Sequence, residues 1–123
     1  MQLTENISLK PFNTFGIDVS AKYFCEIHSV QDYLELLDDK KLSAEKQMIL
    51  GGGSNILFTK NFDGLVIRNA IPGIELISET DTDVIIKVAA GEVWHKLVLW
   101  SVGNNYGGIE NLSLIPGFAG AAP

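Results

Sequence analysis

The feature that most constrains this chain is a short apolar run that leads directly into three consecutive glycines. The run is Met48–Leu50, which with Gln47 makes the candidate strand 47–50, and the segment after it, here called the glycine turn, consists of Gly51, Gly52, Gly53, Ser54 and Asn55. Glycine has no side chain to pack and loses more conformational freedom on folding than other residues. A run of glycines is therefore expected where the backbone takes positive φ or lies against a ligand. The pattern predicts a buried strand that ends in a bare turn.

The glycine turn has the chemistry of an anion-binding site. Successive peptide N–H groups with no Cβ in the way form a concavity that suits phosphate or pyrophosphate, and Ser54 and Asn55 add side-chain donors. The common phosphate loops are spaced differently, because Ile56 stands where G-x-G-x-x-G needs its third glycine and no Gly-Lys-Ser/Thr follows. A bulky residue at Gly53 is then expected to obstruct the anion site more than it destabilises the fold. The alternative is a purely structural turn between two strands.

The composition fits one modest hydrophobic core and excludes several kinds of partner. The chain has 123 residues, 46% of them hydrophobic, and a formal charge of −6 from 9 basic and 15 acidic residues. Because no basic stripe with interleaved aromatics occurs, nucleic acid and anionic membranes are poor partners. Met1–Lys10 lacks the basic start and apolar run of a secretory signal, and no segment of about 18 apolar residues occurs elsewhere. We expect a soluble, cytoplasmic protein.

The cysteine and the histidines predict neither a disulfide nor a metal site. Cys25 is the single cysteine and lies in an apolar run, so it is expected to be a buried, inert thiol. His28 and His95 have no cysteine or carboxylate at ligand spacing, and both are expected to be ordinary side chains.

The first half of the chain carries a strand–helix–strand pattern. Strands are predicted at residues 22–28, 47–50 and 65–68. Ser29 and Asp32 have the spacing of a capping box at the start of a helix, and the charged run Asp38–Lys41 is expected to end that helix as a solvated face. The result is a small, largely parallel sheet with the glycine turn at a strand end, where open α/β sheets bind ligands.

An irregular loop precedes the first predicted strand. Pro11 fixes φ and Gly16 frees the backbone, so residues 9–17 are expected to be a loop. Phe12 and Phe15 are expected to anchor it, while Asn13 and Thr14 bond neighbouring backbone groups.

The residue pattern of the second half changes after Gly73. Residues 74–79 and 84–90 are predicted to pair as a β-hairpin around a turn at residues 80–83. A helix is predicted from Trp94, in which Trp94, Leu97 and Val98 share a core stripe that Leu99 and Trp100 widen, and Gly103 ends it.

The last stretch of the chain has very little side-chain bulk. Pro116-Gly117 predicts a turn, and small residues continue to the end, so that a flat or extended ligand could lie against the backbone. Leu114 and Ile115 are expected to anchor this stretch in the core. The alternative is an unpacked tail.

Four motifs in order resemble the UDP-N-acetylenolpyruvoylglucosamine reductase family. They are Asn13-Thr14-Phe15-Gly16, the glycine turn, Ala90-Gly91 with Trp94, and residues 108–123 with their Ile-Pro-Gly. The resemblance implies an α+β FAD-binding fold of the vanillyl-alcohol-oxidase (PCMH) type. Residues 1–72 would form its first subdomain, and residues 73–123 would supply the hairpin, the helix and the start of the second. It also implies FAD-binding residues: the glycine turn at the pyrophosphate, and Ile115, Pro116, Gly117, Gly120 and Ala121 along the flavin nucleotide.

The resemblance further implies a reaction, in which NADPH reduces FAD and the flavin then reduces the enolpyruvyl group of a UDP-sugar to give UDP-N-acetylmuramate for peptidoglycan. In the family the catalytic groups lie downstream of the Ile-Pro-Gly motif, so no catalytic residue is expected here, and Arg68 is expected to be an isolated guanidinium. The chain is then the N-terminal part of such a reductase. The alternatives are a noncatalytic nucleotide- or partner-binding module of similar fold, and another oxidase of the same flavin fold. The oxidase is disfavoured because neither His28 nor His95 adjoins the glycine turn for covalent attachment of FAD.

Overall fold

A computed structural model describes residues 2–122, which form two β-sheets, three α-helices and short 3-10 turns. The strands are β1 (Leu3–Ser8), β2 (Ser20–Ile27), β3 (Gln47–Leu50), β4 (Phe62–Asn69), β5 (Ile74–Glu79) and β6 (Val84–Val88). The helices are α1 (Val30–Asp38), α2 (Lys40–Ser43) and α3 (Trp94–Gly103), and the 3-10 turns are Lys10–Phe12, Glu110–Leu112 and Ala119–Ala121.

The larger sheet has the strand order β1-β2-β4-β3. Strands β2, β4 and β3 run parallel, and β1 pairs antiparallel with β2 at the edge. The predicted largely parallel sheet is therefore confirmed. The sequence pattern missed β1, whose residues do not alternate cleanly and include Asn6 at φ 53°.

Each face of this sheet packs against a separate hydrophobic cluster. Leu65 and Ile67 of β4 face α1 and α2, together with the buried Cys25 of β2. Val66, between them, faces the opposite side with Phe24 and the loops. Burial raises the pKa of the Cys25 thiol to about 11, which agrees with the predicted inert thiol.

The predicted capping box at the start of α1 is present. The Ser29 hydroxyl accepts the Asp32 N–H at 3.1 Å, and the Asp32 carboxylate accepts the N–H groups of His28 and Ser29 at 2.7 and 3.1 Å. These backbone bonds, that from His28 first, lower the pKa of Asp32. The charged run after α1 is more than a solvated end, because the Asp39 carboxylate caps α2 by accepting the Lys41 and Leu42 N–H groups.

The predicted hairpin forms the smaller sheet, in which β5 and β6 pair antiparallel. Much of it faces outward: Leu76, Ile77 and Ile85 are all exposed. In α3, Leu97 and Val98 are buried as predicted, but Leu99 is 57% exposed, so the expected widening of the apolar face is wrong at that residue. Within residues 2–122, every helix is too short or too polar to cross a membrane.

Candidate functional site

A cleft of about 620 Å³ lies between the glycine turn and residues 115–122, here called the C-terminal segment. Its lining consists of Ile49, Leu50, Gly51, Gly52, Gly53, Ser54, Asn55, Ile56, Trp94, Ile115, Pro116, Gly117, Phe118, Ala121 and Ala122. The two stretches singled out from sequence are therefore the two walls of one cleft. Of the predicted site residues, Gly120 alone is outside the lining.

The glycine turn begins where β3 ends, at the carboxyl edge of the parallel strands. Gly53 is buried with φ +68°, and its carbonyl accepts the Thr14 N–H at 3.0 Å. A Cβ placed on Gly53 would lie 2.0 Å from the Phe12 carbonyl oxygen. The expectation that a bulky residue at Gly53 chiefly obstructs the anion site is therefore wrong, because its side chain would first collide with the fold itself.

The loop that supports the glycine turn is held by one buried amide. The Asn13 side chain donates to the carbonyls of Leu9 and Ile17 at 2.8 and 3.0 Å and accepts the Ile17 N–H at 2.9 Å. Phe12 anchors the loop by stacking on Phe24 at 4.6 Å, as predicted. Phe15 does not, since it is 62% exposed.

The peptide groups of the glycine turn are available to a ligand. Among the hydrogen bonds found within residues 2–122, none has the N–H of Gly52, Gly53, Ser54 or Asn55 as its donor. The residues lining the cleft carry no ionisable side chain. A bound anion would thus meet backbone dipoles and neutral donors, which is the arrangement of a peptide nest. Such an arrangement of donors fits a pyrophosphate group.

The C-terminal segment is attached to the residues that lead into α3. Trp94 N–H donates to the Gly117 carbonyl at 3.1 Å, and Ala119 N–H donates to the Glu92 carbonyl at 2.8 Å. Gly120 N–H donates to the Ala90 carbonyl at 3.0 Å, and a Cβ on Gly120 would lie only 2.5 Å from the Ala90 Cβ. Gly120 is therefore required for packing of this wall and does not itself face the cleft.

The two walls touch each other at their glycines. A Cβ on Gly52 would lie 3.1 Å from the Gly117 Cα, and a Cβ on Gly117, at φ +116°, would lie 3.1 Å from the Ser54 Oγ. The Ser54 hydroxyl donates to the Pro116 carbonyl at 3.3 Å. Small residues on both walls thus allow the backbones to approach closely.

The sequence pattern missed two aromatic members of the cleft. Phe118 is the one bulky residue between Gly117 and the end of the chain, and this isolated position in the sequence could have marked it as a cleft residue. Trp94 was assigned to the core, but it lines the cleft and its indole Nε1 donates to the Leu112 carbonyl at 2.7 Å. Trp94 can reach the cleft because it is the first residue of α3, and a side chain at that position can project beyond the end of the helix.

The turn before the C-terminal segment differs from its prediction. Leu114 was expected to anchor the segment in the core but is 76% exposed, with φ +62°. Its N–H donates to His95 Nδ1 at 3.3 Å, so α3 holds this turn through polar contacts. Ile115 is half-buried and lines the cleft.

Comparison with known proteins supports the resemblance over the whole chain. UDP-N-acetylenolpyruvoylglucosamine reductases from Flavobacterium johnsoniae, Vibrio parahaemolyticus and Pseudomonas putida are 50%, 46% and 42% identical over all 123 residues. The chain spans about a third of the length of these curated relatives, 36% of the first, 35% of the second and 36% of the third. The resemblance inferred from the four motifs is confirmed.

Structural comparison gives the same fold. The crystal structure of UDP-N-acetylenolpyruvylglucosamine reductase from Thermus caldophilus superposes with a TM-score of 0.71 at 23% identity, covering 99% of this chain and 41% of that one. The FAD binding domain family matches residues 21–123. The predicted α+β, PCMH-type FAD-binding fold is confirmed, and the chain belongs to the FAD binding domain family.

Proposed function

We propose that this chain is the FAD-binding, N-terminal part of a UDP-N-acetylenolpyruvoylglucosamine reductase. The parent enzyme would use NADPH to reduce the enolpyruvyl group of its UDP-sugar substrate. The observation that carries the proposal is the cleft, in which the glycine turn presents four successive peptide N–H groups that have no partner among the described residues. The similarity to reductases along all 123 residues supports it.

The glycine turn is proposed to hold the pyrophosphate of FAD. The N–H groups of residues 52–55 would donate to phosphate oxygens, and the Ser54 hydroxyl and the Asn55 amide stand beside them. Because the lining is neutral, the charge of the diphosphate would be met by oriented peptide dipoles and not by an ion pair.

The C-terminal segment is proposed to lie along the rest of the cofactor. Ile115, Pro116, Gly117 and Ala121 offer backbone and small apolar surface, with Trp94 close by. Gly120 would contribute by letting this wall pack against Ala90. Bound FAD would supply the hydride chemistry, while these residues orient it and exclude water.

The remaining catalytic groups are proposed to lie in sequence beyond residue 123. Among the described residues, the lining of the cleft has no ionisable side chain and so no cation for a developing enolate, and its one hydroxyl, that of Ser54, is bonded to the Pro116 carbonyl. We also propose that residues 1–72 and 73–123 belong to two subdomains, since each carries its own sheet. We also propose a cytoplasmic location, because the proposed substrate is a nucleotide-linked peptidoglycan precursor.

The test uses the full-length protein. It should purify with bound FAD, seen as flavin absorbance, and should oxidise NADPH only when the enolpyruvyl UDP-sugar is present. A protein that binds FAD without substrate-dependent NADPH oxidation would support the noncatalytic module instead. A protein that takes up no FAD even when it is added would contradict the proposed function and leave only a module that binds another nucleotide or a protein partner. Residues 1–123 alone should show no turnover with added FAD.

A further inference from the structure

The Arg68 side chain joins four parts of the fold immediately beside the cleft. It leaves the end of β4, and its guanidinium forms an ion pair with Glu26 of β2. Its Cζ lies 5.3 Å from the ring centroid of Phe12 and 5.6 Å from that of Phe118. The expectation of an isolated guanidinium is therefore wrong. Arg68 does not line the cleft, so any effect on a ligand must pass through its neighbours.

Phe118 is the neighbour through which Arg68 reaches the cleft. Phe118 lines the cleft, and its ring lies 3.7 Å from the position that a Cβ on Gly51 would take. Arg68 pairs in register with Leu50, the residue that precedes the glycine turn. Arg68 and Phe118 therefore span the gap between the end of the sheet and the C-terminal segment.

Two other contacts of Arg68 fix the position of its guanidinium. Phe12 stacks on Phe24, which is only 5% exposed, so the Phe12 ring is tied to the core of the sheet. Glu26 orients the edge of the guanidinium by a charge-assisted hydrogen bond. The contacts with Phe12 and Glu26 therefore fix the guanidinium, whose Cζ lies 5.6 Å from the ring centroid of Phe118.

We propose that Arg68 is a positioning residue that sets the separation of the two walls of the cleft by holding Phe118 against the glycine turn. This inference rests on the proposed function, because FAD is the ligand whose affinity would depend on the distance between the two walls. The guanidinium suits this role, because it is a planar cation whose charge is shared by Phe12 and Phe118 while one of its nitrogens pairs with Glu26. A lysine would keep the charge without the planar faces.

A double-mutant cycle on FAD affinity tests the proposal in the full-length protein. The dissociation constant of FAD is measured by titration at a temperature where every variant is folded. Arg68→Met and Phe118→Leu should each raise it about tenfold, and the double variant should also raise it about tenfold and not a hundredfold, because both changes break one contact. If Arg68→Met does not fold, Arg68→Gln takes its place in the cycle.

Two further variants separate this role from charge and from general stability. Arg68→Lys should bind FAD nearly as weakly as Arg68→Met. Lys22→Met is the matched control, because it removes the Lys22–Glu45 ion pair (2.7 Å), which lies at the opposite end of β2 from Glu26. It should lower the melting temperature slightly and leave the dissociation constant of FAD within about twofold of wild type.

Several outcomes would overturn the proposal. Wild-type affinity in Arg68→Lys would show that charge alone matters, and a hundredfold loss in the double variant would show that Arg68 does not act through Phe118. Wild-type affinity in Arg68→Met would also overturn it while leaving the proposed function intact. A wild-type protein that binds no FAD would instead remove the proposed function, and this inference with it.

Discussion

The two walls of the cleft are both rich in glycine, but they need glycine for different reasons. In the glycine turn, Gly53 is buried against the Phe12 carbonyl, and the contact belongs to the fold of the first sheet and its loop. In the C-terminal segment, Gly117 faces Ser54 of the other wall and Gly120 faces Ala90. The first wall is thus fixed at Gly53, its one buried residue, while the second wall is attached to the residues before α3 by backbone hydrogen bonds.

This difference shows that a glycine motif does not report one function. Gly53 is the residue of the turn with positive φ, and a Cβ added there would make the closest contact in the turn. The space left by its missing side chain is filled by protein atoms and not by a ligand. Its peptide N–H still belongs to the proposed anion site. A side chain added at Gly53 should therefore act mainly on stability, and one added at Gly117 should act relatively more on ligand affinity.

The largest expected effect comes from Gly53→Ala. The new Cβ would lie 2.0 Å from the Phe12 oxygen and would impose a strained φ of +68°. We expect a loss of about 3–5 kcal/mol in the free energy of unfolding, measured by urea denaturation. The control is Gly51→Ala, whose Cβ would make an ordinary 3.7 Å contact with Phe118 and should change stability by under about 1 kcal/mol. Equal stability of the two variants would contradict the conclusion that the fold requires glycine at position 53.

Asn13→Ala should be the next most damaging change to the first wall. It removes three hydrogen bonds and leaves the Ile17 N–H without its acceptor in a part-buried loop, while the carbonyls of Leu9 and Ile17 each keep one backbone bond. The expected loss of stability is about 2–3 kcal/mol by urea denaturation. Asn104→Ala is the control, because it removes one exposed bond to the Trp100 carbonyl and should cost under about 0.5 kcal/mol. A small effect at Asn13 would mean that the backbone bonds of the loop and the Phe12 contact hold it without the Asn13 amide.

Gly117→Ala tests the second wall. It adds a Cβ 3.1 Å from the Ser54 Oγ at φ +116°, so we expect about 1–2 kcal/mol lower stability and about tenfold weaker FAD binding in the full-length protein. Gly108→Ala is the matched control, since Gly108 has φ +118° but nothing within 4 Å of its added Cβ. It should lose similar stability and keep wild-type affinity for FAD. Weakened FAD binding in both variants would show that strain, and not contact between the walls, is responsible.

Trp94→Phe should have the smallest effect. The phenyl ring keeps most of the apolar surface but loses the 2.7 Å hydrogen bond to the Leu112 carbonyl, which fixes the turn before the second wall. We expect about 1 kcal/mol lower stability. Trp100→Phe is the control, because Trp100 contacts Tyr106 through its ring at a centroid distance of 5.8 Å. A larger loss in Trp100→Phe would mean that the hydrogen bond contributes little to holding the wall.

Local patterns in the sequence predicted the elements whose interactions are short in range. The Ser29–Asp32 capping box depends on residues three apart, and the strand before the glycine turn is a short run in which only Gln47 is polar. Its predicted burial is confirmed at Leu50 but wrong at Ile49, which is 64% exposed because β3 is an edge strand. The hairpin also has its own turn, with the Thr80 N–H bonded to the Asp83 carbonyl at 2.8 Å. Each of these structures is stabilised by neighbours in the chain, so a single sequence carries enough information to locate it.

Other elements escaped prediction because partners distant in sequence decide them. β1 has no clear alternation and is a strand because it can pair with the edge of β2. Leu114 looked like a core anchor, but its N–H bond to His95 holds a strained, exposed turn in which the leucine faces solvent. Hydrophobic character alone does not tell which leucine finds a partner.

The sequence by itself determined that two small-residue stretches separated by about 60 positions would be bare backbone, because glycine and alanine have almost no side chain in any fold. Only the tertiary structure decided that these stretches face each other, since the Ser54–Pro116 contact spans 62 residues of chain. It also decided which glycines face protein and which face the cleft. That depends on the direction of a missing Cβ, which is set by the packing of Phe12, Ala90 and Phe118 around the turns.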